Sequence, residues 1–131
     1  MNGETNLSRL IATMSPSLVD GVYVFARLQE TTPPPDIRAR MLFEEVEGST
    51  IICLRADAES HGLVYDYPCR MITLDVHSAL ESVGFIAAIT TELAKHGMAV
   101  NPVSGFYHDH LFVPLGREKE ALSVLKALAE R

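Results

Sequence analysis

The sequence predicts an α+β fold of ferredoxin-like order, βαββαβ, and three observations carry that prediction. In Arg70–Gly97, Ile72, Leu74 and Val76 alternate with Thr73, Asp75 and His77, a strand period that runs straight into a helical pattern. Two further strand patterns, Met98–Ser104 and Tyr107–Pro114, are joined by a turn at Gly105-Phe106. A final helix, Arg117–Glu130, gathers Ala121, Leu122, Leu125, Leu128 and Ala129 on one stripe. The order β-α-β-β-α is one strand short of the full pattern, so a strand of the first half must complete the sheet.

From the N-terminus, Thr5 or Asn6 can cap a short helix carrying Leu7, Leu10, Ile11 and Met14, which Pro16 ends. Val22–Leu28 reads as a strand apolar on both faces. Thr31–Asp36, with three consecutive prolines, must be an exposed loop. Ala39–Val46 and Thr50–Leu54 form a hairpin around Glu47-Gly48, and Ala56–Gly62 makes one or two helical turns capped near Asp57. Tyr65-Asp66-Tyr67-Pro68 reads as a turn or extended link, dividing the chain into halves at 1–66 and 67–131.

The central helix is expected to start at Ser78, with Glu81 answering it as a capping box, and to stop at Gly97. Leu80, Val83, Ala87 and Ala94 share one face that can pack on its own sheet. Phe85, Ile86, Ile89 and Leu93 form a bulkier face for the other half of the chain or another subunit. Pro102 cannot donate to a ladder, so its strand belongs at a sheet edge.

Composition excludes several classes. With 131 residues, 47% of them hydrophobic and 21% charged, the chain supports a real core. A net charge of -6 with scattered Lys and Arg does not suit nucleic acid. No apolar run approaches the ~20 residues of a membrane span, and the N-terminus lacks a signal-peptide pattern; a cytoplasmic protein is expected. Cys53 and Cys69 lie apart in apolar settings and read as reduced structural thiols.

The sequence offers no catalytic set. Phosphate-binding glycine motifs and a GxSxG elbow are absent, and the adjacent Glu44 and Glu45 point to opposite strand faces. His108 and His110 share a strand face, so a metal-dependent enzyme using them with His77 is one alternative. The residues favour binding instead: no enzyme, no cofactor and no resident metal. The turn from His77 to Phe85 offers backbone amides at a helix start for a carboxylate, and Ser78 can add a hydroxyl. Asn101–Gly105 offers edge-strand main chain, Asp109 or Asp75 attracts an ammonium group, and Gly84 leaves room for close approach.

The segments LDVHSALESVGFIAAITTELAKHGMAV and SGFYHDHLFVPLGREKEALSVLKAL resemble the ACT domain. The hairpin RMLFEEVEGSTIICL and the strand YVFARL extend the resemblance to small bacterial proteins with two ACT-like halves packed together, related to the regulatory domains of aspartokinase. The resemblance implies a regulatory module that senses an amino acid or similar metabolite, with a homodimer as the expected assembly. It implies a ligand at His77–Phe85 meeting the edge strand Val100–Tyr107 of a partner unit, with Asp109 in the acidic position. The candidate ligand-binding residues are His77, Ser78, Ala79, Leu80, Val83, Gly84 and Phe85, facing Asn101, Val103, Ser104, Gly105 and Asp109. One departure is that Ser78-Ala79 stands where the family often has glycine before its first helix. An interaction module of the same fold without a ligand is the other alternative.

Overall fold

The computed structural model describes residue 3 and residues 5–131, with the elements α1 (Leu7–Thr13), β1 (Pro16–Leu28), β2 (Met41–Glu45), β3 (Gly48–Leu54), α2 (Arg55–Ser60), β4 (Tyr65–Leu74), α3 (Phe85–Lys95), β5 (Asn101–Ser104), β6 (Asp109–Pro114) and α4 (Glu118–Ala129). They form two compact units: Met1–Asp20 with Arg70–Arg131, and Gly21–Cys69. The two long strands, β1 and β4, supply residues to both.

In the first unit the strands follow the order β1-β4-β6-β5. The missing strand is therefore the start of β1, Pro16–Asp20, which lies beside β4 in that order. β1 is longer than its apolar pattern, because Gly21 at φ +109 lets the chain pass a local irregularity without ending the strand. β5 ends the order, as Pro102 requires, and pairs with β6 through Pro102↔Leu111 and Ser104↔Asp109. The core of this unit joins Leu10 of α1 and Met14 just after it, Ile72 and Leu74 of β4, Phe85, Ile89 and Leu93 of α3, and Leu125 of α4, among others. The Asn6 side chain caps α1, accepting from the Arg9 amide at 3.0 Å. At the far end of α3 the Arg117 guanidinium donates to the His96 and Gly97 carbonyls, at 2.9 and 3.1 Å.

The faces of α3 are reversed from expectation. Phe85, Ile89 and Leu93 fill the unit's own core, whereas Ala87 and Ala94 are exposed and Leu80 and Val83 precede the helix. The bulkier set wins the core because it removes more apolar area from water.

In the second unit the order is β2-β3-β1-β4. The hairpin register pairs Phe43↔Thr50 and Glu45↔Gly48, and β3 pairs antiparallel with β1 through Arg27↔Thr50. Along the chain the unit reads β-β-β-α-β, and the proline-rich stretch between β1 and β2 holds no helix where the ferredoxin-like pattern has one. Ile37 from that stretch is buried with Val24, Ala26, Leu28, Ile51, Cys53 and Ala58. α2 has no side-chain cap; Leu54 precedes it and Asp57 lies inside its first turn. Tyr65–Pro68, expected as a link, belongs to β4; Tyr67 sits at φ +62, an unusual conformation for an aromatic residue, with its ring edge-on to Phe25 at 5.8 Å.

Candidate functional site

The chain leaves β4 at Leu74 and reaches α3 only at Phe85. Between them the Asp75 amide donates to the Ser15 carbonyl at 2.9 Å, and the Ser78 and Ser82 amides donate to the Val76 and Ala79 carbonyls, both at 3.0 Å. The Ser78 hydroxyl donates to Asp109 Oδ2 at 2.8 Å, and each residue is only 6% exposed. This corrects two expectations. Ser78 is not the helix cap, and Glu81, whose carboxylate has no hydrogen bond among the described residues, does not close a capping box. Asp109 does not face solvent as a ready partner for an ammonium group; it is held inward by Ser78. A buried carboxylate without a donor costs more than a lost helix cap, so the hydroxyl goes to Asp109 and the helix starts later.

Gly84, at φ +91, turns the chain into α3, and no side chain caps the helix there. The first intrahelical bond is the Ala88 amide to the Gly84 carbonyl at 2.9 Å, so the amides of Phe85, Ile86 and Ala87 lie ahead of the helical ladder. Leu80 and Val83 stand 68% and 85% exposed on the approach. The result is a bare, positively polarised helix start with an apolar rim.

The turn before β6 reaches the same region. The His77 ring lies 6.1 Å from that of Tyr107, and Tyr107 meets Phe106 edge-on at 4.9 Å. The Gly105 amide donates to the His108 carbonyl at 2.9 Å, where a Cβ at Gly105 would come within 3.2 Å of that oxygen. Thus His77, Ser78 and Asp109 are brought together, and Ser104 is the ladder partner of Asp109. Asn101 and Ser104 make no side-chain hydrogen bond to the turn among the described residues, and Val103 pairs with His110.

Sequence reasoning missed Gly3. A Cβ there would lie 2.5 Å from the Ala79 nitrogen, 2.7 Å from the Ser78 carbonyl carbon and 2.9 Å from the His77 oxygen. Main chain at position 3 thus packs directly on the turn, and only glycine fits. A glycine in an unpatterned N-terminal stretch gave no signal of this.

Reactive chemistry finds little support here. The His108 and His110 rings are 6.5 Å apart, and His110 Nδ1 is engaged with the Thr73 hydroxyl at 3.0 Å. Among the described residues no group of three or more His, Cys, Asp or Glu side chains is arranged to hold a metal ion. Burial pushes the Cys69 thiol up to about 12, and burial also raises Cys53. No described helix is long and apolar enough to cross a membrane.

Comparison with known proteins agrees with this fold. Models of the ACT domain match residues 2–70 and 65–127. No curated protein matches. Among solved structures, VC0802 of Vibrio cholerae, a protein of unknown function described as a possible transport protein, is 37% identical with a TM-score of 0.82, covering 94% of this chain and 95% of that one. Atu0741 of Agrobacterium tumefaciens is 19% identical with a TM-score of 0.71, over 88% and 89% of the two chains. The aspartokinase alpha and beta subunits share the fold at 12% identity and a TM-score of 0.65, over 89% of this chain and 98% of that one. ACT domains generally bind small-molecule ligands in regulation, and with two successive matches spanning most of its length this chain belongs to the ACT domain family.

Proposed function

We propose that this chain is a non-catalytic, cytoplasmic regulatory module that binds an amino acid at the start of α3. The observation that carries the reading is the uncapped helix N-terminus at Gly84–Ala87, rimmed by exposed Leu80 and Val83. Its amides and dipole suit a carboxylate, and the rim suits a small apolar body. Asn101, Val103, Ser104 and Gly105 of a second copy would complete the site, so the working assembly is a homodimer. The division of the chain at 66/67 into two ACT-type halves is part of the same proposal.

Thermal-shift titration with the amino acids tests it. A ligand at 100 times its dissociation constant is expected to add about 2.7 kcal/mol of stability. Gly84→Ala should weaken that ligand at least as much as it lowers stability. If no amino acid shifts the transition, the reading fails. The second reading, an interaction module without a ligand, draws on Gly3, whose main chain already lies on the turn.

A further inference from the structure

A different surface, wholly within the second unit, has the makings of a separate site. The ladder register sorts its strands into two faces. Val24, Ala26, Leu28, Ile51 and Cys53 enter the buried cluster beneath the sheet. On the other face Phe25↔Ile52↔Met41 form one row and Arg27↔Thr50↔Phe43 the next. The Arg27 amide donates to the Val64 carbonyl at 2.9 Å, which draws the start of β4 alongside.

These rows border an open depression of about 660 Å³, within the size range of small-ligand pockets. Its walls are mainly apolar, with Phe25, Met41 and Phe43 on the lining and Phe43 largely exposed. Two opposite charges stand on the same lining. Neither the Arg27 guanidinium nor the Asp66 carboxylate has a hydrogen bond or ion pair among the described residues. The third charge, Glu45, is already engaged by the Thr50 hydroxyl.

That combination selects the ligand chemistry. A plain anion would pair with Arg27 but face Asp66 and Glu45, and a plain cation would face Arg27. A neutral apolar molecule would strip water from both free charges and return nothing. A zwitterion answers both, with its carboxylate on the guanidinium and its ammonium on the aspartate. We infer that this depression binds a small zwitterion with an apolar, preferably planar, body stacked against Phe25 and Phe43. The site is independent of the one at α3.

The test is a titration of the full chain, followed by backbone amide NMR, with three probes: L-phenylalanine, 3-phenylpropionate lacking the ammonium, and phenethylamine lacking the carboxylate. Saturable shifts at Phe25–Arg27, Phe43–Thr50 and Val64–Asp66 are expected with phenylalanine, and about tenfold weaker binding with either truncated probe. Arg27→Met and Asp66→Asn, both at exposed positions, should each weaken phenylalanine about tenfold while leaving the unfolding midpoint unchanged. Equal binding of all three probes would reduce the depression to an apolar surface and overturn the assignment. Shifts confined to His77–Ala87 would overturn it too, while supporting the site at α3. Ligand-free shifts at Phe43 and Val64 that grow with protein concentration would assign the face to a second copy instead.

Discussion

Glu92 receives both Arg131 guanidinium nitrogens, at 3.0 and 3.1 Å, and the Lys95 ammonium at 3.0 Å. These donors, Arg131 foremost, lower its carboxyl from 4.5 to about 2. Because the folded value is depressed, the stabilisation is fully present above 4.5 and is lost as pH falls toward 2. Denaturant unfolding of Glu92→Gln is expected to vary less with pH across that window than the parent protein, with the two converging at its acid end. The thiols offer a second residue-scale check. With Cys69 raised to about 12 and Cys53 also raised, neither should react with a thiol reagent at neutral pH until the chain unfolds. Rapid native labelling of either would show that the burial is not maintained in solution. Cys69 also shows where sequence reading stops, since its neighbour Arg70 is visible along the chain but the burial that raises the thiol is not.

At the scale of elements, α4 was legible because its periodicity agrees with its burial, and β6 because its alternation set Leu111 and Val113 on one face, although Phe112 on the other is buried too. Ala121, Leu125 and Leu128 are the inward stripe of α4, and Leu111 and Val113 that of β6. The start of α3 was not legible. Ser78 and Glu81 have capping-box spacing, but the competing acceptor, Asp109, is 31 residues away in sequence and adjacent only in space. Tyr65–Pro68 was read as a link because proline ordinarily interrupts a strand, yet β4 carries Pro68 with its irregularity concentrated at Tyr67. The revised helix start has a measurable consequence. Gly84→Ala would put a Cβ at φ +91 and cost roughly 1–2 kcal/mol, whereas Ser82→Ala, outside the helix, should be nearly silent. Chemical denaturation of both variants separates this boundary from one at Ser78.

For the whole molecule, two ACT-type halves could be inferred from sequence, but not how strands are shared between them. Val22–Leu28 has the apolar pattern, while Pro16–Asp20, which completes the order of the first unit, has a proline at its start, an acid at its end and a glycine beyond. Its role follows from the topology rather than its composition. Completion of the α3 site by a second copy predicts a solution mass of twice the chain mass in light scattering at micromolar concentration. A monomer would remove the partner's edge strand from the proposal while leaving the helix start available. Of the twelve candidate residues, Ser78 and Asp109 meet across 31 positions of chain, with His77 beside them. Their roles were not legible, because which group faces inward depends on burial.

The Ser78–Asp109 hydrogen bond ties the fate of two loops together. Losing the hydroxyl in Ser78→Ala should cost about 1.5–3 kcal/mol, as a buried carboxylate loses its donor. Once position 109 is apolar as well, most of that penalty has no charge left to act on. In a double-mutant cycle the pair should therefore behave as one trait, and among descendants of this sequence a change at either position should make a change at the other easier to tolerate.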